Sequence, residues 1–251
     1  MSKSNSSSNA AGNKRKYDTF VEPSTTSSEW VIEGADATTY ILTLLKLSHV
    51  SKDSYILIPG CGISLVPKLL YDEGYTHLYI IDIEDRSIVF QNDVFGNNKD
   101  VIIKKHDILN DVFSSGTMFD VIIDKSFMDV FLRQSYATLA WNNTIKMLKP
   151  NGVYITLSMF HKKWKRYASK KTFSEIKYGS VAIKKYSSRT RPTIASFSHP
   201  ACILACILKD DNNNNKESDT VFEKSFTIST TPFSDLHSIP SHSFPNDSSM
   251  F

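Results

Sequence analysis

The sequence predicts an α/β fold: a Rossmann-like, mostly parallel sheet of seven strands, with helices on both faces and an antiparallel C-terminal hairpin. Three observations carry that prediction. Short apolar runs of strand length alternate with segments of helical character. The first run ends in Pro59-Gly60-Cys61-Gly62 and a helix is expected directly after it. Beyond Ser158 the alternation stops, and two longer strand-like runs follow with no full helix between them.

Taken in order, a helix over 35–47 is expected to pack beside the first strand. The five apolar runs are 55–59 (YILIP), 77–82 (HLYIID), 101–105 (VIIKK), 119–124 (FDVIID) and 153–158 (VYITLS). Each reads as a buried strand. Helices are expected over about 64–73, 85–95 and 134–148. Strand, helix, strand is the βαβ unit, and a parallel sheet built from it is covered on both faces. The runs over about 175–187 and 201–208 are the hairpin strands that close one edge.

The 251 residues carry 29 Lys and Arg against 26 Asp and Glu and are 41% apolar, the make-up of a soluble globular chain. No stretch reaches the ~18 apolar residues of a membrane span, and no basic-then-apolar signal opens the chain. Cys61, Cys202 and Cys206 are too few for a disulfide framework or a four-cysteine zinc site, so no metal is expected. They fit a reducing compartment, cytoplasm first and nucleus second. Residues 1–28, half of them Ser, Asn or Thr, read as a disordered arm. The folded unit, one domain, spans 29–209, and 210–251, with its run Asn212 to Asn215, reads as a low-complexity, largely disordered tail. Charge is uneven: residues 161–191 hold eleven basic side chains against Glu175, a net +10 that leaves −7 for the rest of the chain.

The chemistry gathers at the strand ends. In an open α/β sheet, ligands bind outside the carboxyl ends of the strands, where glycines permit close backbone approach and helix amides face the ligand. Gly60-Cys61-Gly62 occupies that place after the first strand. A dinucleotide fingerprint needs a third glycine where Leu65 stands, and a P-loop needs Lys before Ser or Thr, so neither is formed. Asp82 ends the second strand, twenty residues after Gly62, where a carboxylate can accept from both ribose hydroxyls. Asp107 follows the third strand, where an acid can accept from the exocyclic amine of adenine. Each acid alone also fits an ordinary turn or cap.

Together these residues resemble the class I S-adenosylmethionine-dependent methyltransferases. In that resemblance, Gly60, Cys61 and Gly62 form the loop against the methionine part of the cofactor. Asp82 with Ile83 meets the ribose, and Asp107 with Ile108 meets the adenine. The strings Gly60 to Ser64, Leu70 to Tyr75, Ile81 to Ile83 and Phe119 to Lys125, followed by Asp129, are similar to a eukaryotic methyltransferase-like branch that includes lysine methyltransferases of translation elongation factor 1A. Glu29-Trp30 matches the start of the branch's Glu-Trp-Tyr motif, so Trp30 is implied to border the cofactor. The branch has Asp-Lys-Gly-Thr after strand four; here Asp124-Lys125-Ser126-Phe127 stands there, and Val31 replaces the Tyr.

The resemblance implies methyl transfer, an in-line attack on a sulfonium carbon. Alignment and a deprotonated nucleophile are the needs of that reaction. Asp124 and Asp129 are the expected catalytic acids, placed to orient an ammonium, with Asp124 also counted in the cofactor site. The alternative gives Asp124 a helix-capping role and pairs Asp129 with Arg133 four residues on. Lys125 is a candidate for the cofactor carboxylate. Neither the Asn/Asp-Pro-Pro-Tyr of amino-group methylation of adenine or glutamine nor a Pro-Cys nucleophile is present, which favours amine methylation on a protein, and the resemblance to the branch implies a lysine as the first substrate expectation. RNA methylation, and a fold kept only as a binding module, are the alternatives. The basic segment 161–191 is expected to line the substrate rim and to grip an acidic protein face or an RNA backbone.

Overall fold

The computed structural model describes residues 29, 32, 34–96, 98–113, 116, 118–164, 166–167, 172–182, 200–208 and 224–225. Helix α1 (Gly34–Leu47) leads into β1 (Ile56–Pro59), α2 (Val66–Asp72), β2 (Leu78–Asp82), α3 (Asp85–Phe95) and β3 (Ile102–Lys105). Then follow β4 (Phe119–Lys125), α4 (Phe127–Phe131), α5 (Ala137–Ile145) and β5 (Leu148–Ser158). These five strands pair in parallel in the order β3-β2-β1-β4-β5. This is the Rossmann-like α/β arrangement. Because the order reverses on either side of β1, the crevice at the carboxyl ends of β1 and β4 is the topological switch point where such sheets take ligands.

Past β5 come a short helix α6 (His161–Trp164), β6 (Phe173–Ala182), β7 (Pro200–Leu208) and the two-residue β8 (Lys224–Ser225). Strand β7 pairs antiparallel with both β5 and β6, and β8 pairs parallel with β6, so the sheet as described has eight strands. The arm 1–28, Trp30, the tail from 209 onward except Lys224 and Ser225, and most of the cations of 161–191 lie outside the described residues. Among the described residues no helix is long and apolar enough to cross a membrane.

Period-two alternation explains the two-sided core. Ile56, Ile58, Val121 and Ile123 face α1 and α2, against Ile41, Leu44 and Leu70. Leu57, Ile122 and Tyr154 face the other way, against Ala140 and Trp141 of α5. A central strand buried on both faces must be apolar at every position, and β1 is buried throughout. Edge strand β3 is exposed or half-buried at all four positions. Besides α6 and β8, which were not expected, two elements near the crevice differ from expectation. Strand β5 starts at Leu148 rather than 153, because Leu148 already pairs with Phe119 ahead of a register shift. The unexpected helix α4 forms because one oxygen of Asp124, Oδ1, accepts from its first two amides.

Trp141 centres the second core. Its ring meets Tyr154 at 5.1 Å, Tyr167 at 5.5 Å, Trp164 at 5.7 Å and Phe173 at 6.1 Å between centroids. Edge-to-face packing of this kind adds to the area term, and truncation leaves a cavity that rigid neighbours cannot fill. Trp141→Ala is expected to lower unfolding stability by about 3–5 kcal/mol. Urea denaturation of the two proteins reads this directly; a loss under ~1 kcal/mol would show that the aromatic cluster is not a shared core.

Candidate cofactor and active site

A cavity of about 420 Å³ opens at the carboxyl ends of β1 to β4, lined among others by Gly60, Gly62, Asp82, Asp107, Lys125 and Asp129. Its floor is the loop after β1. Gly60 has φ +58°, and a Cβ there would fall 2.5 Å from Cδ2 of Phe127. Gly62 has φ +56° with open space where a Cβ would stand, so the backbone lies bare toward the cavity.

Side chains from three elements hold this loop. The Gly62 amide donates to Oδ2 of Asp82 at 2.7 Å, and the Glu84 amide donates to Oδ1 at 2.9 Å. Gln91 of α3, fully buried, donates through Nε2 to the carbonyls of Gly62 (3.1 Å) and Ser64 (2.8 Å). Glu29 closes the far side. Its carboxylate accepts from the Ser64 hydroxyl and the Leu65 amide, both at 2.9 Å, and pairs with Lys125 Nζ at 2.8 Å. Both partners of that ion pair are at least nine-tenths buried, so neither charge could stand there alone.

The expected cofactor residues are largely assembled. Gly60, Gly62, Asp82, Ile83, Asp107 and Ile108 all line the cavity. Asp107 also ties its own turn, accepting from the Leu109 amide and from Asn110 Nδ2, so the turn role and the cavity position coexist. Cys61, between the two glycines, packs its side chain in the α1–α2 core, and its amide donates to Ile81 O. Burial first, then the Asp82 carboxylate, pushes its thiol well above the ordinary value. Trp30 lies outside the described residues. Lys125, the candidate for the cofactor carboxylate, is engaged by Glu29.

Asp124, on the same face of β4 as Ile122, is wholly buried and is not among the residues that line the cavity. Oδ1 accepts from the amides of Phe127 (2.6 Å) and Met128 (3.3 Å), and Oδ2 accepts from the Tyr154 hydroxyl (2.8 Å). The capping alternative therefore describes it. Burial, and then the like charge of Asp129, push its carboxyl up to about 7 against the lowering effect of those three hydrogen bonds. Asp129 does line the cavity, with only 8% of its surface exposed. The Ser158 hydroxyl donates to its Oδ1 and the Met159 amide to its Oδ2 at 3.0 Å. Burial raises its carboxyl, and Ser158, Met159, Ser126 and the Arg133 charge partly offset that.

Several cavity residues escaped the sequence reading. Phe127 and Phe131, one turn apart on α4, meet edge-to-face at 5.1 Å, and Met159 and Phe160 come from the exit of β5. Their only advance signal was the aromatic pair at helical spacing. Ser126 sits at φ +63°, the left-handed region, where a glycine would be unstrained; its amide donates to Leu157 O at 2.9 Å and holds it there. His106 lines the cavity with its Nε2 buried and lacking a hydrogen-bond partner among the described residues, and burial lowers its pKa. Among the described residues no group of His, Cys, Asp or Glu could hold a metal ion.

No family model and no curated protein sequence matches the chain. Solved structures do. The CurJ carbon methyltransferase is 12% identical, over 71% of this chain and 54% of that one, with a TM-score of 0.51. A chain of the complex containing the Haloferax volcanii Trm112 methyltransferase activator is 9% identical, over 70% and 92%, with a TM-score of 0.52. The N-methyltransferase NodS from Bradyrhizobium japonicum, in complex with S-adenosylhomocysteine, is 20% identical over 67% and 84%, with a TM-score of 0.49. At such identities the likeness is one of fold alone: the Rossmann-like α/β arrangement is one that solved methyltransferases also have.

The buried acid has a measurable signature. The folded protein holds the Asp124 proton more tightly than the unfolded chain, where the carboxyl titrates near 3.8. Its raised pKa therefore contributes most stability below that value, and the contribution is lost as pH rises through about 7. Asp124→Asn keeps an acceptor for the two α4 amides and removes the titration. Urea midpoints measured from pH 5 to 8 should show the variant gaining on the wild type as pH rises; parallel profiles would contradict the buried acid.

Proposed function

We propose that this chain is an S-adenosylmethionine-dependent methyltransferase that acts on an amine, in the first place a lysine side chain of a protein. The observation that carries the reading is one cavity joining two kinds of wall. At one end stand the bare glycine backbone, Asp82, and the Asp107–Ile108 turn. At the other, a single carboxylate, Asp129, is set among Phe127, Phe131 and Phe160.

The first end fits the cofactor. Asp82 Oδ1 takes the Glu84 amide alone, and Oδ2 takes the Gly62 amide and the Cys61 thiol, a weak donor at 3.8 Å that a hydroxyl can displace, so two ribose hydroxyls can be held. The open space at Gly62 admits the methionine part. When bound, S-adenosylmethionine supplies an electrophilic methyl group on a sulfonium.

The second end fits an amine. An alkylammonium, with an ordinary pKa near ~10.4, must lose a proton before its nitrogen can attack. Asp129 is placed to orient the N–H group and to accept that proton at a carboxylate oxygen, and a carboxyl raised by burial is a better acceptor than an ordinary one. The aromatic side chains exclude water and leave an apolar passage for an aliphatic stem. We further take the antiparallel β6 and β7 as completing a seven-stranded sheet of this fold, to which the two-residue β8 is an edge addition. We place the protein's work in the cytoplasm, on the strength of its cysteine content.

Calorimetric titration with S-adenosylmethionine is expected to show one site; no binding at high micromolar cofactor would end the enzymatic reading. Asp82→Ala should weaken that affinity by about 1–3 kcal/mol, roughly 5- to 150-fold, and unchanged affinity would remove Asp82 from the ribose site. Asp129→Asn should leave cofactor affinity intact while lowering methyl transfer by at least about a hundredfold, the lower end of general-base effects. For substrate class, cell extract is incubated with labelled cofactor and the protein, with and without ribonuclease. Label in a nuclease-resistant protein band is expected; label that disappears with the RNA would replace the protein substrate by RNA.

A further inference from the structure

At the mouth of the cavity the guanidinium carbon of Arg133 lies 4.5 Å over the ring of Phe160, and both residues line the cavity. Lys163 reaches the same ring at 5.9 Å while its Nζ donates to Leu132 O at 2.9 Å. Asp129, one turn before Arg133, already accepts from Ser158 and Met159. Among the described residues no carboxylate comes within ion-pair distance of the Arg133 guanidinium. Arg133 is exposed. A guanidinium lying over an aromatic face keeps its N–H edge free, and that edge matches a carboxylate in two parallel hydrogen bonds.

Resting on the amine-methyltransferase reading above, we propose that Arg133, braced on Phe160, binds an acidic side chain of the protein substrate next to the lysine to be methylated. The charges explain why. A substrate ammonium drawn to Asp129 meets two cations at the entrance, which repel it unless the substrate brings its own anion. A carboxylate beside the lysine turns that repulsion into a second point of attachment. Two fixed points then set the direction from which the amine enters. A peptide carboxylate suits a single braced fork, whereas a nucleic-acid backbone is gripped by many cations along its length.

The test uses competition. Labelled methyl transfer to extract protein is measured with wild type, R133A and R133K, in the presence of one of three probes. These are a pentapeptide with its central lysine flanked by glutamates, the same peptide with glutamines, and polyuridylate. The glutamate peptide is expected to inhibit wild type at a concentration at least about tenfold below the glutamine peptide, the scale of one charge-assisted pair. R133A should abolish that preference and R133K restore part of it, with S-adenosylmethionine affinity by calorimetry unchanged in both. Equal inhibition by the two peptides, a preference that survives in R133A, stronger competition by polyuridylate, or cofactor affinity lost in step with R133A would each overturn the proposal. A wild type that binds no cofactor or labels no protein would instead overturn the methyltransferase reading, and this proposal with it.

Discussion

The Asp82 carboxylate ties the exit of β2 to the exit of β1, and the geometry of the cavity depends on that tie. Its Oδ2 takes the Gly62 amide and its Oδ1 the Glu84 amide, so one side chain sets the position of the glycine loop and the start of α3 together. Parallel strands end on the same side of the sheet, where their final backbone groups have lost their ladder partners. A buried carboxylate meets that need and is itself compensated by two amides, as a buried charge must be. Gln91 and Glu29 extend the same arrangement to Ser64 and Leu65. The loop is built before any ligand arrives, which lowers the ordering cost of binding.

The two acids after β4 divide their work by depth. Asp124, with no exposed surface, holds the start of α4 and the Tyr154 hydroxyl; Asp129, carried by α4, reaches the cavity wall. The first acid therefore positions the second. Ser126 links them in a left-handed turn, a conformation of roughly 1–3 kcal/mol strain held by the Leu157 carbonyl. Strain of this kind persists where the surrounding structure dictates the turn, and here the turn aims α4 across the mouth of the crevice.

Much of this was legible in the sequence, for a physical reason. Strands buried on both faces must be apolar throughout, so YILIP and FDVIID stood out; Asp82 and Asp107, each of which alone fits a turn or cap, were readable only as a set with the glycine pair after the first strand. The direction of the acids was less legible. Asp124 and Asp129 look equivalent until strand parity and the start of α4 are known; the first then turns inward and the second out. The direction of Cys61 was equally illegible: its side chain packs in the core while the glycines on either side line the cavity. Phe127 to Phe131, five residues with four apolar, carries too little period to announce a helix. Arg133 and Phe160 come from segments 27 residues apart, and only the fold brings them together.

A crystal structure of the full chain with S-adenosylhomocysteine tests the central claim most directly. The account predicts the ribose hydroxyls on Asp82, the adenine beside Asp107 and Ile108, and the sulfur turned toward the wall that holds Asp129 and Phe127. A ligand seated elsewhere, or a sulfur facing away from Asp129, would contradict it.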